Sequence, residues 1–401
     1  MHCRCAMNGG EGPNSYAQNS SYQKGFVDAA KPIIEEEISR KLDIKHLSST
    51  FRIADFGCST GHNSLAAMQI ITEAIRRRFE TEGLMSQIPD FYVFFSDKVT
   101  NDFNTLFKSL PRERLYGAAG VPGSFHGRLL PKAMLDFAYS NCSLNWLSEL
   151  PKAMLDNTSP AWNRGKIHYA EARKEVCEEY ANQYAKDIES FLDSRAEELV
   201  PGGLMALLVP AIPASWDPNS AYATTTEIYL LGSCLMDMAK AVQSDTHYAK
   251  EKVLQPISQF HHITLVGRKS PKNKELLLLL QGRISEAKVD SFNIPVYFPI
   301  PQEFEAIIER NDKYTIERME ILDNQAGKHN LTGPKDRAAY CRAVSEGVLI
   351  DHFGGEIIEE LFDRYTKKLA ASPLFSDPDC DKSIIIFVLL RRKPESSCSG
   401  S

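Results

Sequence analysis

The sequence lacks the features that would place it in a membrane, secreted or nucleic-acid-binding class. No apolar run approaches the length of about 20 residues that a membrane-spanning helix needs, and the amino terminus carries no secretory pattern. The formal net charge of −6 gives no reason to expect nucleic-acid binding. The nine cysteines are odd in number and form no disulfide-like framework, which favours the reducing cytoplasm.

The composition is that of an ordinary globular protein. The chain has 401 residues, of which 43% are hydrophobic and 24% charged, enough for a sizeable core. Short apolar runs with strand character alternate with segments of helical periodicity. Strands are predicted at 51–57, 91–97, 135–141, 202–212, 314–322 and 383–393, and helices at 31–43, within 57–79, at about 171–199 and at 355–370.

This alternation predicts an α/β fold, a Rossmann-like doubly wound sheet that binds ligands at the carboxyl ends of its strands. The region 213–302 breaks the alternation and is predicted to be an inserted, mostly helical substrate cap, with an atypical insertion at about 243–280. Residues 1–212 and 303–401 would form the core.

The strongest local signal is DFGCSTGHN (55–63), which follows a predicted strand and opens a predicted helix. Gly57 and Gly61 allow a tight turn and a close approach of a ligand to the backbone. The spacing is not GxGxxG, and the absence of Gly-Lys-Ser/Thr excludes a phosphate-binding P-loop. Asp55 suits a cationic amino-acid end, and Asp97 is placed to accept both hydroxyls of a ribose. S-adenosylmethionine has both features and no phosphate; a nucleotide fold with a degenerate loop is the alternative.

Seven motifs, in this order, resemble the plant SABATH methyltransferases. They are NGGEGPNSYAQNS, IADFGCSTGHN, FFSDKVTNDFN, GVPGSFHGRLLP, SLNWLSELP, VDSFNIP and DHFGGEIIEELFDRY. The resemblance covers nearly the whole chain and implies S-adenosylmethionine-dependent methylation of a small plant carboxylic acid. Within the family, SYQKG, IADFGCS and FNTLFKSLP most resemble enzymes that act on isoprenoid-derived acids such as loganic and farnesoic acid.

The resemblance carries the family's S-adenosylmethionine contacts onto eight positions. These are Tyr16, Asp55, Cys58, Asn63, Asp97, Lys98, Ser124 and Phe125. Cys58 would contact the cofactor through backbone and soft packing rather than act as a nucleophile. The polar segment 8–25, which holds Tyr16, is expected to close over the site as a lid.

The substrate positions match less well. Gln23 and Trp146 are intact and would donate hydrogen bonds to the substrate carboxylate, whereas Cys142 and Asn145 replace bulkier residues on the pocket wall. The resemblance also places three apolar-pocket residues: Ile228, Tyr229 and Phe353. No catalytic acid–base pair is expected, because a carboxyl group with a pKa of about 4 is already ionised at neutral pH.

A magnesium site is also implied by the resemblance. Its ligands would be Asn163, Asp290, Asn293 and the backbone carbonyl of Phe292, a set of oxygen donors that suits a hard cation. Family members are usually homodimers, so the chain is expected to pair with a second copy.

Two other functions stay open at this stage. A xanthine-type N-methyltransferase, as in the caffeine-forming branch, would use the same geometry, and Asn8 echoes those enzymes. The second alternative is a non-catalytic paralogue that binds ligand without turnover. It is suggested by Cys142 and Asn145, which alter the pocket wall, and by the unusual 243–280 stretch.

Overall fold

The computed structural model describes residues 6–44, 48–215, 223–253, 284–323, 331–375 and 384–394. The strands are β1 (Thr50–Phe56), β2 (Asp90–Asp97), β3 (Tyr116–Pro122), β4 (Leu135–Asn141), β5 (Leu199–Ala211), β6 (Tyr314–Asp323) and β7 (Ile384–Arg392). The α-helices are α1 (Tyr16–Asn19), α2 (Ser21–Lys41), α3 (His62–Thr81), α4 (Phe103–Lys108), α5 (Lys174–Glu198), α6 (Ala223–Val253), α7 (Glu286–Asp290), α8 (Pro301–Arg310), α9 (Pro334–Phe353) and α10 (Ile358–Ala370). Among these helices none is long and apolar enough to cross a bilayer.

The strands form one sheet in the order β3-β2-β1-β4-β5-β7-β6. Strands β1 to β5 pair in parallel, and β7 runs antiparallel to both of its neighbours. The chain leaves β1 toward one edge and returns to β4 on the other side of β1, so the order reverses between these two strands. Such a switch point leaves a crevice at the carboxyl ends of the strands. The predicted doubly wound fold is confirmed.

Apolar side chains cover both faces of this sheet. Successive residues of a strand point to opposite faces, and β1 shows this clearly. Phe51 and Ile53 pack in a cluster with α2 and α3, whereas Ala54 and Phe56 pack in a cluster with α5 and α8; all four are fully buried. With both faces covered by helices, the ends of the strands are the natural place for a ligand.

A third apolar cluster lies beside the sheet. It joins residues of α6 and of the segment 284–298 to α9 and α10, with Leu235, Leu349 and Tyr365 fully buried inside it. The sequence pattern assigns 213–302 to the cap, and in the structure the later helices α9 and α10 share the same apolar cluster. The predicted insertion at 243–280 enters α6, and its residues from 254 onward lie outside the described residues.

Candidate active site

A cavity of about 740 Å³, here called the larger cavity, opens where β1, β2, β3 and β4 end. Its walls come from the segments that follow these strands, so residues distant in sequence meet in one place. The lining includes Tyr16, Gly57, Ser59, Asp97, Lys98, Ser124, Phe125, His126, Cys142, Ser143, Trp146 and Ser148. Five of the eight predicted cofactor residues are in this wall: Tyr16, Asp97, Lys98, Ser124 and Phe125.

The turn after β1 fixes the carboxylate of Asp97. Gly57 has a φ of 92°, and a Cβ atom at this position would collide with the side chain of Ser143, so only glycine fits. The turn then brings the Ser59 backbone N–H to donate to Asp97 Oδ2 at 2.7 Å, while the Lys98 N–H donates to Oδ1 at 2.7 Å. Burial raises the pKa of Asp97, and these two N–H groups oppose that effect.

Asp55 lies deeper, directly behind this turn. It is 1% exposed, and its Oδ2 has no hydrogen-bond partner. Burial raises the pKa of Asp55 to about 7; the nearby Asp97 adds to the rise, and a hydrogen bond from Ser64 opposes it. A buried carboxylate oxygen without a partner is costly unless a ligand supplies a donor or a positive charge.

The other two predicted cofactor residues support the wall from behind. Asn63 donates from Nδ2 to the Ser20 carbonyl at 3.2 Å and hydrogen-bonds to Tyr16, so it connects α3 to the N-terminal segment. Cys58 is buried in the apolar cluster beneath α3, and burial raises the pKa of its thiol well above the ordinary value. Asp55, Asn63 and Cys58 therefore lie behind the wall of the larger cavity and are not among the residues that line it.

A buried ion pair holds the loop that carries Ser124 and Phe125. Arg195 Nε donates to Glu198 Oε2 at 2.8 Å, and both side chains are fully buried at the end of α5. The guanidinium also donates to the carbonyls of Phe125 at 2.7 Å and Gly127 at 2.8 Å. Glu198 Oε1 in turn accepts the backbone N–H groups of Leu129 and Leu130.

A second cavity of about 90 Å³, here called the smaller cavity, adjoins the first. Its walls are mainly apolar and come from α6, α9 and the segment 294–298, with polar groups from α2 and from the turn after β4. Five of the seven predicted substrate residues line it: Gln23, Cys142, Asn145, Trp146 and Ile228. Gln23 Oε1 and Asn145 Oδ1 are buried without partners.

The turn after β4 separates the two cavities. Cys142 has a φ of 56°, a left-handed conformation that is strained for a residue with a side chain. Backbone hydrogen bonds join this turn to the segment 294–298. The Tyr297 N–H donates to the Asn145 carbonyl at 2.8 Å, and Trp146 pairs with Val296 in an isolated β-bridge. Cys142 and Trp146 line both cavities.

The remaining two predicted substrate residues lie outside the smaller cavity. Tyr229 is 39% exposed and lines a surface depression beside Lys166. Phe353 is 2% exposed and packs its ring against Phe292, with 5.0 Å between ring centroids. Several further residues line the smaller cavity but cannot be found from the sequence, because no motif marks them. They are Met7, Tyr22, Glu227, Tyr340, Val344 and Ser345.

The residues predicted to bind magnesium are arranged as a hydrogen-bonded contact within the protein. Asn163 Nδ2 donates to Asn293 Oδ1 at 2.8 Å, and the Gly165 N–H donates to Asp290 Oδ1 at 2.7 Å. Phe292 is packed in the third apolar cluster, with residues of α6, α9 and α10. Two of the oxygens that a cation would need, Asn293 Oδ1 and Asp290 Oδ1, each accept a hydrogen bond from the protein, so this contact forms without a metal ion. Within the described ranges no three His, Cys, Asp or Glu residues form a metal-binding group.

The N-terminal segment borders both cavities and is attached on two sides. The Asn8 backbone N–H donates to the Ala343 carbonyl at 3.0 Å, and Asn8 Nδ2 donates to Glu346 Oε2 at 2.7 Å, both on α9. The Gly10 N–H donates to Asp102 Oδ2 at 2.8 Å, at the start of α4. Met7 and Tyr16 line both cavities as a result.

A doubly wound sheet with a large cavity at the ends of its strands and a smaller cavity joined to it suits an enzyme that brings two ligands together. The chain belongs to the family of S-adenosylmethionine-dependent carboxyl methyltransferases, whose model matches residues 2–248 and 274–393. The predicted resemblance, the methyltransferase activity and the donor are thereby confirmed.

Named relatives agree with this assignment. Loganic acid O-methyltransferase of Catharanthus roseus is 38% identical over 393 residues, which cover 96% of this chain and 94% of that protein. Farnesoic acid carboxyl-O-methyltransferase of Arabidopsis thaliana is 37% identical over 370 residues, 92% and 93% of the two chains. A solved structure of loganic acid methyltransferase with SAH is 38% identical, matches with a TM-score of 0.82 and covers 97% of this chain and 99% of its own.

Replacing Arg195 by Lys should weaken donor binding. A lysine cannot reproduce the planar set of hydrogen bonds to Glu198, Phe125 and Gly127. We expect the KM for S-adenosylmethionine to rise about tenfold with a smaller change in kcat, and the free energy of unfolding to fall by about 3 kcal/mol. Arg128→Lys, in the exposed pair with Glu197, is the matched control. Unchanged donor KM in Arg195→Lys would contradict this role for the ion pair.

Replacing Asn293 by Ala should destabilise the fold without any dependence on magnesium. The substitution leaves Asn163 Nδ2 with one partner fewer at a buried position, which costs about 1–3 kcal/mol in the free energy of unfolding. Denaturant unfolding with Mg²⁺ and with a chelator measures this, and Asn157→Ala, at an exposed amide of the same region, is the control. A chelator effect that is present in the natural chain and lost in Asn293→Ala would instead support the predicted metal site.

Proposed function

We propose that this protein methylates the carboxylate of a small plant acid, within the isoprenoid-derived class that includes iridoid acids, and releases the methyl ester. Membership of the family supplies the reaction, and the class of acid is the proposed part. The similarity to the loganic acid and farnesoic acid methyltransferases supports the class of acid. The observation that supports a carboxylate as the acceptor group is the position of Gln23, Asn145 and Trp146, three side chains with N–H donors, in one small cavity beside the larger one. N–H donors on an otherwise apolar wall are what a carboxylate needs.

The larger cavity is proposed to hold the methyl donor. Asp55, with its partnerless buried oxygen, would pair with the ammonium of the amino-acid end. Asp97, fixed by two backbone N–H groups, would accept hydrogen bonds from the ribose hydroxyls. Ser124 and Phe125, held by the Arg195 network, would contact the adenine. Two buried carboxylates, Asp97 in the wall of the larger cavity and Asp55 behind it, support this proposal, because a cationic nucleoside without phosphate needs acceptors of that kind.

Positioning and exclusion of water would then supply the catalysis. S-adenosylmethionine supplies an electrophilic methyl group when bound. Gln23 and the Trp146 indole N–H would hold the substrate carboxylate where the two cavities meet, so that one of its oxygens faces the larger cavity. The N-terminal segment, attached to both α9 and α4, keeps water from the site. No side chain has to move a proton, because the acid is already ionised.

The decisive experiment is transfer from labelled donor to a panel of acids and xanthines. A product labile to base is an ester, whereas N-methylation of a xanthine gives a stable product. We expect esters, and we expect Gln23→Ala and Trp146→Phe each to lower kcat/KM for the acid by roughly 10- to 100-fold, as loss of a hydrogen bond to a charged group predicts. Gln23→Ala should leave donor affinity unchanged, because Gln23 lines only the smaller cavity.

The matched control is Gln69→Ala, at an exposed glutamine of α3 that hydrogen-bonds to Glu73. Full acid turnover in the double variant of Gln23→Ala and Trp146→Phe, or methylated xanthine as the main product, would overturn the proposal. Cofactor binding without turnover of any acid would favour the non-catalytic alternative.

Donor affinity should depend on pH through Asp55. Its pKa of about 7 means that the carboxylate predominates above pH 7 and the neutral acid below it. Because only the carboxylate pairs with the ammonium, affinity for S-adenosylhomocysteine should rise about tenfold from pH 6 to pH 8. Calorimetry measures this, with 5′-methylthioadenosine, which lacks the amino-acid end, as the ligand control. Asp55→Asn should bind more weakly with a flat profile, and an unchanged slope in that variant would contradict the assignment.

The cellular setting is proposed on separate grounds. We propose a homodimer because the family resemblance implies one, and a cytoplasmic location because the nine scattered cysteines suit a reducing compartment.

A further inference from the structure

The smaller cavity contains one acidic residue that the reaction does not use. Glu227, on α6, lines the cavity and is 7% exposed. The sequence resemblance assigns it no role. A carboxylate among apolar side chains such as Ile228, Leu231 and Phe298 needs an explanation, because burying a charge is costly without a partner.

Arg337 forms an ion pair with Glu227 and holds its carboxylate in place. Arg337 Nη1 donates to Glu227 Oε1 at 2.7 Å, and the two side chains are 6% and 9% exposed. Arg337 also stacks over the ring of Phe375, with 5.3 Å from its guanidinium carbon to the ring centroid. Glu227 lines the cavity and Arg337 does not, so the pair presents an acceptor to the ligand while its positive charge stays behind the wall.

The chemistry of this wall favours one kind of substrate group. An ionised carboxylate only accepts hydrogen bonds, so it binds a hydroxyl and repels a second carboxylate. The hydroxyl-bearing Tyr340 and Ser345 line the same cavity.

We infer that the acceptor is a monocarboxylic acid that carries a hydroxyl group: Glu227 accepts a hydrogen bond from this hydroxyl while Gln23 and Trp146 hold the carboxylate. The inference rests on the proposed function and adds the substrate class. Glu227 is a specificity-determining residue in this arrangement: it selects the hydroxylated acid, rejects the analogue without the hydroxyl and rejects dicarboxylic acids.

The test compares pairs of acids that differ in one group. 4-Coumarate with cinnamate, and 8-hydroxygeranate with geranate, measure the preference for a hydroxyl; 4-hydroxybenzoate with terephthalate measures the rejection of a second carboxylate. In the natural chain we expect kcat/KM for at least one hydroxylated acid to be about tenfold higher, or more, than kcat/KM for its analogue without the hydroxyl. A hydrogen bond to a charged group predicts a difference of this size. Terephthalate should be turned over at least tenfold more slowly than 4-hydroxybenzoate.

Glu227→Gln is the informative variant, because glutamine keeps an oxygen for Arg337 while losing the charge. It should reduce the hydroxyl preference about tenfold and relax the rejection of terephthalate, because the variant loses the negative charge that favours a hydroxyl over a carboxylate. Glu360→Gln, in the exposed ion pair with Arg364, is the matched control. Binding of S-adenosylhomocysteine by each variant shows that its larger cavity is intact.

The outcomes distinguish a failure of the proposed esterification from a failure of the role assigned to Glu227. If the natural chain esterifies no acid, the proposed function fails and the substrate class fails with it. If acids are esterified but every partner without a hydroxyl is used equally well, or if the preference survives Glu227→Gln, only the inference about Glu227 is overturned. Should Glu227→Gln not fold, the paired comparisons in the natural chain decide alone.

Discussion

The wall of the larger cavity depends on an ion pair, Arg195 with Glu198, that solvent does not reach. Desolvating a guanidinium and a carboxylate costs several kcal/mol, and their attraction offsets this only when their other hydrogen-bonding positions are filled. Arg195 and Glu198 satisfy that condition with four backbone groups of a single loop. An apolar pair of equal volume could fill the space but could not hold those groups. The charges therefore fix the shape of the loop that carries Ser124 and Phe125.

Methyl transfer to an acid also requires that the thiol and phenol side chains near the site stay protonated. Cys142 stands between the two cavities, where a thiolate would compete with the acid for the methyl group. Burial raises the pKa of Cys142 well above the ordinary value, and the same holds for Cys58 and Tyr139. The substrate carboxylate is ionised without help, so a site that suppresses ionisation of its own thiols and phenols favours ester formation.

Much of the fold can be predicted from the sequence, because six strands are apolar runs of the right length and the turn at Gly57 has its own signature. The strand β3 (Tyr116–Pro122) cannot be predicted in this way, because its glycines are explained by rings that are distant in sequence. A Cβ atom on Gly117, for example, would lie 2.8 Å from the ring of Tyr92. The site shows the same limit. Motifs identify residues that end strands, such as Asp97, but which face a helical residue presents depends on packing, so Tyr229 points away while its neighbour Ile228 lines the smaller cavity.

The two cavities share only a narrow boundary, formed by Met7, Tyr16, Cys142, Trp146 and Val344. Beyond it, the larger cavity is built from the segments that follow the strands, and the smaller one mostly from α6, α9 and the segment 294–298. Substitutions in these three elements can therefore change the smaller cavity while the larger one stays intact. Gene duplicates of such an enzyme can diverge toward new metabolites one residue of these elements at a time, each intermediate keeping its methyl-transfer apparatus.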